Sequence, residues 1–238
     1  MKNKMKNKIC IIVPTRKRFL DFNFLASTWK RTTEGKSVVA VGVDEDDNTY
    51  DRLIEKNPYS FIWERTKPSP FLPTLNKLAI KYAKEYKYIG YISDDLAFNT
   101  SGWETLIINK LNELGKNGII WVNDGHCPVN LANKIYPHNC GIPFMNSSII
   151  NRLGYMCPLK LHSAMADGYW GNLVMKMPNS SYFFKDIIIE HRHFSFNLRN
   201  KDETSYKIEG EASPDYKFFN SDQFYIDVEK DVKMLLST

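Results

Sequence analysis

Residues 88–95 read Tyr-Ile-Gly-Tyr-Ile-Ser-Asp-Asp, an apolar run from Tyr88 to Ile92 broken at once by Ser93, Asp94 and Asp95. So short and continuous a run is the pattern of a strand covered on both faces. The stripe before it, Leu75, Leu78, Ala79, Tyr82, Ala83 and Tyr86, has helical spacing and supplies the crossover into that strand. The same unit recurs upstream. Ile9-Cys-Ile-Ile-Val13 is stopped by Pro14 and followed by Phe19, Phe22, Leu25, Ala26 and Trp29 at helical spacing, with Gly35 as the break. Val38 to Val43 is a second buried strand, Tyr50, Leu53 and Ile54 a short helix, and Phe61-Ile-Trp63 a third strand. Downstream, Ser101 and Glu104 have capping-box spacing before a stripe of Trp103, Leu106, Ile107, Leu111 and Leu114, and Ile119 to Val122 is a further strand.

Strands alternating with helices predict an α/β fold with a mostly parallel sheet and right-handed crossovers. In such sheets ligands bind beyond the carboxyl ends of the strands. Three polar clusters fall there: Pro14-Thr-Arg-Lys-Arg18, Asp44 to Asp47, and Ser93-Asp94-Asp95. Past residue 123 the pattern loosens into Gly, Pro, Asn and His-rich loops, with helical pieces near 147–153 and 167–177 and a strand at Ile187 to Ile189. No linker frees this part. The organisation expected is a basic start over 1–8, an α/β half over 9–122 that carries the polar rim, and a lobe over 123–238 of the same domain folded over that rim.

The composition of the 238 residues, 43% hydrophobic and 25% charged with 12 Gly and 11 Pro, excludes a disordered tail, a collagenous repeat and a disulfide miniprotein. A chain this long buries roughly 70% of its extended surface, enough to fold without metal or disulfides. The net charge of +5 is uneven: residues 1–36 hold ten basic and two acidic side chains, and the remainder 22 against 25. An anionic partner near the first segment is allowed but not required. Cys10, Cys127, Cys140 and Cys157 show no CxxC spacing, the first apolar run is only five residues, and no 18-residue apolar stretch occurs. These features predict a cytoplasmic protein without a membrane span.

Two adjacent carboxylates just past a buried strand raise each other's pKa unless a cation or a donor compensates. Mg²⁺ or Mn²⁺ is the simplest compensation, since it takes one or two carboxylates and fills its shell with water and substrate phosphate oxygens. An isolated Asp-Asp pair is otherwise a turn or an N-cap. His126, Cys127, His138, Cys140, Cys157 and His162 concentrate soft and imidazole ligands, but at no standard zinc spacing, so buried free thiols are the expectation.

Five segments in order carry a resemblance: Val13-Pro14-Thr15-Arg16-Lys17-Arg18, Val43-Asp44-Glu45-Asp46-Asp47, Leu75-Asn76-Lys77, Ser93-Asp94-Asp95 with Gly102-Trp103, and Glu190-His191-Arg192-His193. Over residues 9–220 the chain resembles small GT-A fold glycosyltransferases of the family 2-like group found in bacteria and tailed phages. The resemblance implies a nucleoside diphosphate sugar, a UDP-hexose of the UDP-glucose type, as donor. It makes Pro14, Thr15, Arg16, Arg18, Asp44, Asn76 and Asp94 donor contacts, and Asp95 and His191 metal ligands for Mn²⁺ or Mg²⁺. Asp167, in Ala166-Asp167-Gly168-Tyr169-Trp170-Gly171, takes the place of the base, with a helix N-cap as its competing reading. Asp124, His162 and Trp170 become acceptor contacts, the ring of Trp170 stacking on a sugar. One acid opposite the leaving group implies single displacement with inversion. The sequence also departs from the pattern: Ile92 and Ala166 stand where acids are usual, and the QxxRW motif of processive synthases is absent, so transfer of a single sugar is implied rather than polymer synthesis. The phage-like resemblance and the basic first segment allow the acceptor hydroxyl to be that of a hydroxymethylated DNA base, and a glycan precursor is the alternative. The rival classes are a sugar-nucleotide nucleotidyltransferase, for which the Gly-rich phosphate loop is missing, and a nucleic-acid-binding domain, which leaves Asp94, Asp95 and Asp167 without a role.

Overall fold

The computed structural model describes residues 5–126, 140–193, 198 and 214–237. Strand β1 (Lys6–Thr15) leads through α1 (Phe19–Thr32) to β2 (Ser37–Asp44), and a 3₁₀ turn at Asn48–Tyr50 with α2 (Asp51–Lys56) leads to β3 (Ile62–Thr66). Then follow α3 (Phe71–Tyr82), β4 (Tyr86–Tyr91), β5 (Leu96–Phe98), α4 (Trp103–Leu114) and β6 (Ile119–Asn123). The second half supplies β7 (Pro143–Asn146), α5 (Ser147–Leu153), α6 (Ala166–Lys176), β8 (Ser181–His191), α7 (Pro214–Phe219) and α8 (Asp222–Leu236).

Among the described residues the strands form an eight-stranded sheet in the order β3-β2-β1-β4-β7-β6-β8-β5. β1 to β4 pair in parallel, β6 and β8 run the same way, and β7 and β5 run against them. The sheet is therefore mostly parallel, as the alternation of strands and helices requires. Strands buried on both faces send alternate side chains to opposite layers. On β1, Ile9, Ile11 and Val13 join Phe22, Leu25 and Trp29 of α1 and Trp103, Ile107 and Leu111 of α4. Cys10 and Ile12 face the other way, onto Leu75, Leu78 and Tyr82 of α3, Trp170 and Leu173 of α6, and Phe224, Val228, Val232 and Leu235 of α8. The antiparallel insertion of β7 depends on Gly90, paired with Phe144, because a Cβ there would stand 2.5 Å from the Phe144 ring.

Three local expectations are corrected. Ser101 and Glu104 form no capping box: the residue before α4 is Gly102 at φ 74°, and α4 has no side-chain cap. Glu104 turns inward instead. Completely buried, it accepts from Thr33 Oγ1 (2.7 Å), Glu34 N (2.6 Å), Lys36 N (3.1 Å) and Ser37 Oγ, tying the α1–β2 turn to α4. The stripe through Tyr86 belongs to two elements, since α3 ends at Tyr82 and Tyr86 opens β4 beside Lys6. The strand at Ile187 to Ile189 is the end of an eleven-residue strand, β8, whose first half escapes sequence reading because its exposed and half-buried positions do not alternate. β5, β7, α7 and α8 are likewise additions. A helical signal was present for α8, whose Phe224, Val228, Val232 and Leu235 are all buried.

Removing the Glu104 carboxylate would leave buried donors unsatisfied. Glu104→Ala is expected to destabilise the protein by about 3 kcal/mol in urea unfolding. A change below about 1 kcal/mol would mean that water replaces the carboxylate.

Candidate functional site

The carboxyl ends of β1, β2 and β4 lie side by side because those strands are parallel neighbours, and each ends in one of the polar clusters. The turn after β1 is bent by Lys17, held at φ 55°. A left-handed lysine costs about 1 kcal/mol, and Asp47 Oδ2 holds it by accepting the Lys17 N–H at 2.7 Å. Asp47 also caps the turn at Thr49, and its carboxyl is held below the ordinary range because hydrogen bonds from Thr49 and Lys17 outweigh its burial. Arg16 pairs with Asp44 and makes two bonds to Asp46, at 2.8 and 2.9 Å. Arg65 closes the rim from β3 by donating to the carbonyls of Asp44 (3.0 Å) and Asp47 (2.7 Å).

Asp94 and Asp95 are both buried, each only 4% exposed. Asp94 Oδ2 accepts from Thr15 Oγ1 at 2.7 Å, and Asp94 Oδ1 from Arg18 at 3.1 Å. Thr15 has one proton and gives it to Asp94, so the 2.6 Å bond between Tyr50 and Thr15 runs from the Tyr50 hydroxyl. The Tyr50 oxygen in turn accepts Arg18 N–H at 3.1 Å, making a chain of three hydrogen bonds that ends on Asp94. Burial first, and then the charge of Asp94, push the Tyr50 phenol well up, so it stays a neutral donor.

Asp95 accepts from Ser93 Oγ at 2.6 Å and faces His191 Nε2 at 3.4 Å, with Arg18 at 4.0 Å. The partition between the two acids is unequal. Burial pushes Asp94 up, and Arg18 only partly offsets it against the neighbouring Asp95 charge. Burial acts on Asp95 too, but His191, Ser93 and Arg18 outweigh it and hold that carboxyl well below the usual range. His191 reaches this point through the sheet: β5 pairs with β8 in a register that sets Leu96 opposite His191, and Arg192 N donates to the Asp95 carbonyl at 3.0 Å. The far side is fixed by Asp124, whose carbonyl accepts His191 N at 2.8 Å, and by the His126 ring, whose Nε2 donates to the His191 carbonyl at 2.8 Å.

Asp167 lies in the first turn of α6, preceded by Met165 at φ 65°. Its carboxyl is raised by burial, partly offset by the Gly168 N–H and by the charge of His191. Its own charge bears on Tyr91, at the end of β4, and on Cys140. α6 therefore carries an acid to the end of the strand that precedes the Asp94–Asp95 pair. An N-cap role does not describe it, because Asp167 is inside the helix and Met165 is the capping position.

Other expected residues stand elsewhere. Asn76 is not a rim residue: its Oδ1 accepts Met156 N (2.8 Å) and Cys157 N (3.0 Å), and its Nδ2 donates to the Cys157 carbonyl (2.9 Å), which commits the amide to holding the 156–157 loop. Trp170 does not present a stacking face, being 1% exposed, bonded through Nε1 to the Met156 carbonyl (2.9 Å) and packed on Tyr91. His162 is exposed on the loop before α6, and its main chain bonds Leu72 and Asp215. Pro14 pairs with Gly42 inside the sheet. Cys10, Cys140 and Cys157 are buried free thiols, and burial pushes that of Cys157 up to about 12. Cys127 and His138 lie outside the described residues. Tyr50, Arg65 and His126 are partners that sequence reading does not reveal, since each acts across a gap of many residues.

Among the described residues no three His, Cys, Asp or Glu side chains gather at ligand spacing. The donor set at the rim is one carboxylate and one imidazole, Asp95 and His191. That pair does not fit structural zinc, which takes four protein ligands, but it fits a divalent ion completed by diphosphate oxygens and water.

Comparison with solved structures identifies the fold. S. aureus TarS 1–349 in complex with UDP-GlcNAc superposes with a TM-score of 0.62 at 13% identity, over 96% of this chain and 71% of that one. The chain has the GT-A fold. Mannosyltransferase PcManGT from Pyrobaculum calidifontis, in complex with GDP-Man and Mn²⁺, gives a TM-score of 0.53 at 11% identity over 98% of this chain and 74% of that one. GalNAc-T7 with UDP, GalNAc and Mn²⁺ gives 0.64 at 9% identity over 94% of this chain and 50% of that one. The chain spans 36% of the longer TarS chain and 59% of its UDP-bound 1–349 form. No family model matches the sequence, and no curated protein sequence does. Among the described residues no helix is long and apolar enough to cross a membrane.

Arg18 is the fixed cation of the acid pair. Arg18→Gln is expected to lower stability in metal-free buffer by about 2 kcal/mol, the value of hydrogen bonds to a charged group. Mn²⁺ should then stabilise this variant more than the wild type in thermal melts. An equal Mn²⁺ shift in both proteins would show that Arg18 does not balance the pair.

Proposed function

We propose that the protein is a metal-dependent glycosyltransferase that moves one hexose from a UDP-sugar to a hydroxyl acceptor, with inversion at the anomeric carbon. The observation that carries this reading is the buried Asp94–Asp95 pair at the end of β4, with His191 Nε2 3.4 Å from Asp95. The GT-A fold supports it, as do the sugar nucleotides and Mn²⁺ named with proteins of similar structure.

In this reading residues 9–122 hold the donor and residues 123–238 the acceptor. Asp44 and Thr15 face the nucleoside, and Arg16 and Arg18 stand on the side of the diphosphate. Asp95 and His191 would hold Mn²⁺ or Mg²⁺; the imidazole favours the softer Mn²⁺. The bound ion supplies positive charge to the departing diphosphate. Asp167 receives the proton of the acceptor hydroxyl as its oxygen bonds to the anomeric carbon and the bond from that carbon to the diphosphate breaks. Its burial keeps the carboxyl more basic than a solvated aspartate, which suits a base.

The acceptor we favour is a hydroxyl of a glycan precursor. Of the ten cations in residues 1–36, Lys6, Arg16, Arg18 and Lys36 already face carboxylates, which weighs against a bare basic face for DNA. Salt-sensitive retention on duplex DNA would reverse that choice in favour of a hydroxymethylated base.

The test is a donor screen by thermal shift and UDP release. Asp95→Asn should abolish Mn²⁺-dependent stabilisation by UDP, whereas Asp167→Asn should keep it and lose transfer by about 10²-fold or more. Equal loss of UDP affinity in both variants would remove Asp167 from the role of base. Absence of stabilisation by UDP under any metal would overturn the transferase reading.

A further inference from the structure

α7 grips the loop before α6 and the first turn of α6, which presents Asp167, at one point each. Asp215, in the first turn of α7 and only 4% exposed, accepts three consecutive main-chain N–H groups: His162 on Oδ1 (3.0 Å), and Ser163 (2.6 Å) and Ala164 (2.8 Å) on Oδ2. One turn further along, the Phe219 ring covers Gly168 so closely that a Cβ on Gly168 would lie 2.4 Å from it. Between these points stands Met165 at φ 65°, a backbone conformation that persists only where its surroundings hold it. The loop is also tied on its other side by the His162 carbonyl, which accepts Leu72 N at 2.8 Å. A helix that merely filled space here would present apolar side chains to the loop. α7 instead buries a carboxylate and devotes it to the three residues that set the entry into α6.

We propose that Asp215 is a positioning residue of the transfer reaction, a clasp that fixes Asp167 by immobilising residues 162–165, with Phe219 on Gly168 as its second jaw. The proposal rests on Asp167 being the base that takes the acceptor proton. A carboxylate on a helix can serve a reacting hydroxyl only if its helix is held to a fraction of an ångström, and a displacement of about 1 Å can lower turnover by about 10²-fold. The Asp215 carboxylate bonds the main chain of His162, Ser163 and Ala164 and none of Thr15, Arg18, Asp94 or Asp95, so its loss should leave donor binding in place.

The test uses the full chain with Mn²⁺ and measures UDP release from UDP-glucose and UDP-N-acetylglucosamine, with water as acceptor, beside UDP affinity by calorimetry. Asp215→Asn and Phe219→Ala should each lower kcat, the first by about 10²-fold, and leave the UDP Kd within about twofold. Combined with Asp167→Asn, neither should lower the residual rate further, since a positioning residue has nothing left to position. Hydrogen exchange should quicken at residues 162–168 in Asp215→Asn and stay unchanged at 88–95. Wild-type kcat in Asp215→Asn, parallel losses of kcat and UDP affinity, multiplicative loss in the double variant, or unchanged exchange at 162–168 would each overturn the clasp. If the wild type releases UDP from no donor, the transferase reading fails by itself, and the exchange measurement still decides whether Asp215 holds the loop.

Discussion

Two carboxylates buried side by side at the end of one strand are the constraint around which the molecule is arranged. Each disfavours ionisation of the other, and burial disfavours both. Their compensation comes from four side chains at three places in the chain: Thr15 at the end of β1 with Arg18 just beyond it, Ser93 in the pair's own turn, and His191 at the end of β8. Thr15, Arg18 and His191 would not reach the pair unless β1 lay beside β4 and β5 were paired with β8. The sheet order is thus what makes the acid pair tolerable, and the acid pair gives the sheet order its chemical purpose.

The rim is stiff because its polar groups bond to one another. Arg18 N–H, Tyr50, Thr15 and Asp94 form one continuous chain, while Arg65 and Asp47 lock the neighbouring turn through main-chain groups. Such a network is worth having only when complete, since a buried polar group without a partner is costly. The same device appears at the opposite end of the sheet, where Glu104 gathers the donors of the α1–β2 turn. In both places a carboxylate organises main chain that no regular element could satisfy.

The second half of the chain is assembled differently. Here helices are fastened to one another by single acids: Asp231 on α8 accepts from Tyr155 and Tyr169, each at 2.7 Å, and Asp215 on α7 takes the loop before α6. Trp170, which sequence reading offers to a sugar, is consumed together with Tyr169 by this fastening and by the core. α6 also carries the buried acid Asp167, on which the charge of His191 bears and whose own charge bears on Tyr91.

The fold class was legible because it depends on local periodicity: short apolar runs such as Ile9 to Val13 and Tyr88 to Ile92 alternate with helical stripes, and burial on both faces leaves no other arrangement. The first half of the rim was legible for the same reason, since residues directly after parallel strands must share an edge. The strands β5 and β7 were not, being too short for a periodic signal, and Pro143 to Asn146 enters the sheet only because Gly90 makes room for Phe144. Nor could spacing tell that Asn76 would bond a loop 80 residues away, that Glu104 would turn inward instead of capping, or that Tyr50 would stand behind Thr15. Sequence by itself determined which residues end the strands and which charges they carry, because those follow from neighbours along the chain. Only the tertiary structure decided which of those charges meet, because a hydrogen bond across the sheet depends on strand order and register, and these are settled by packing of the whole core.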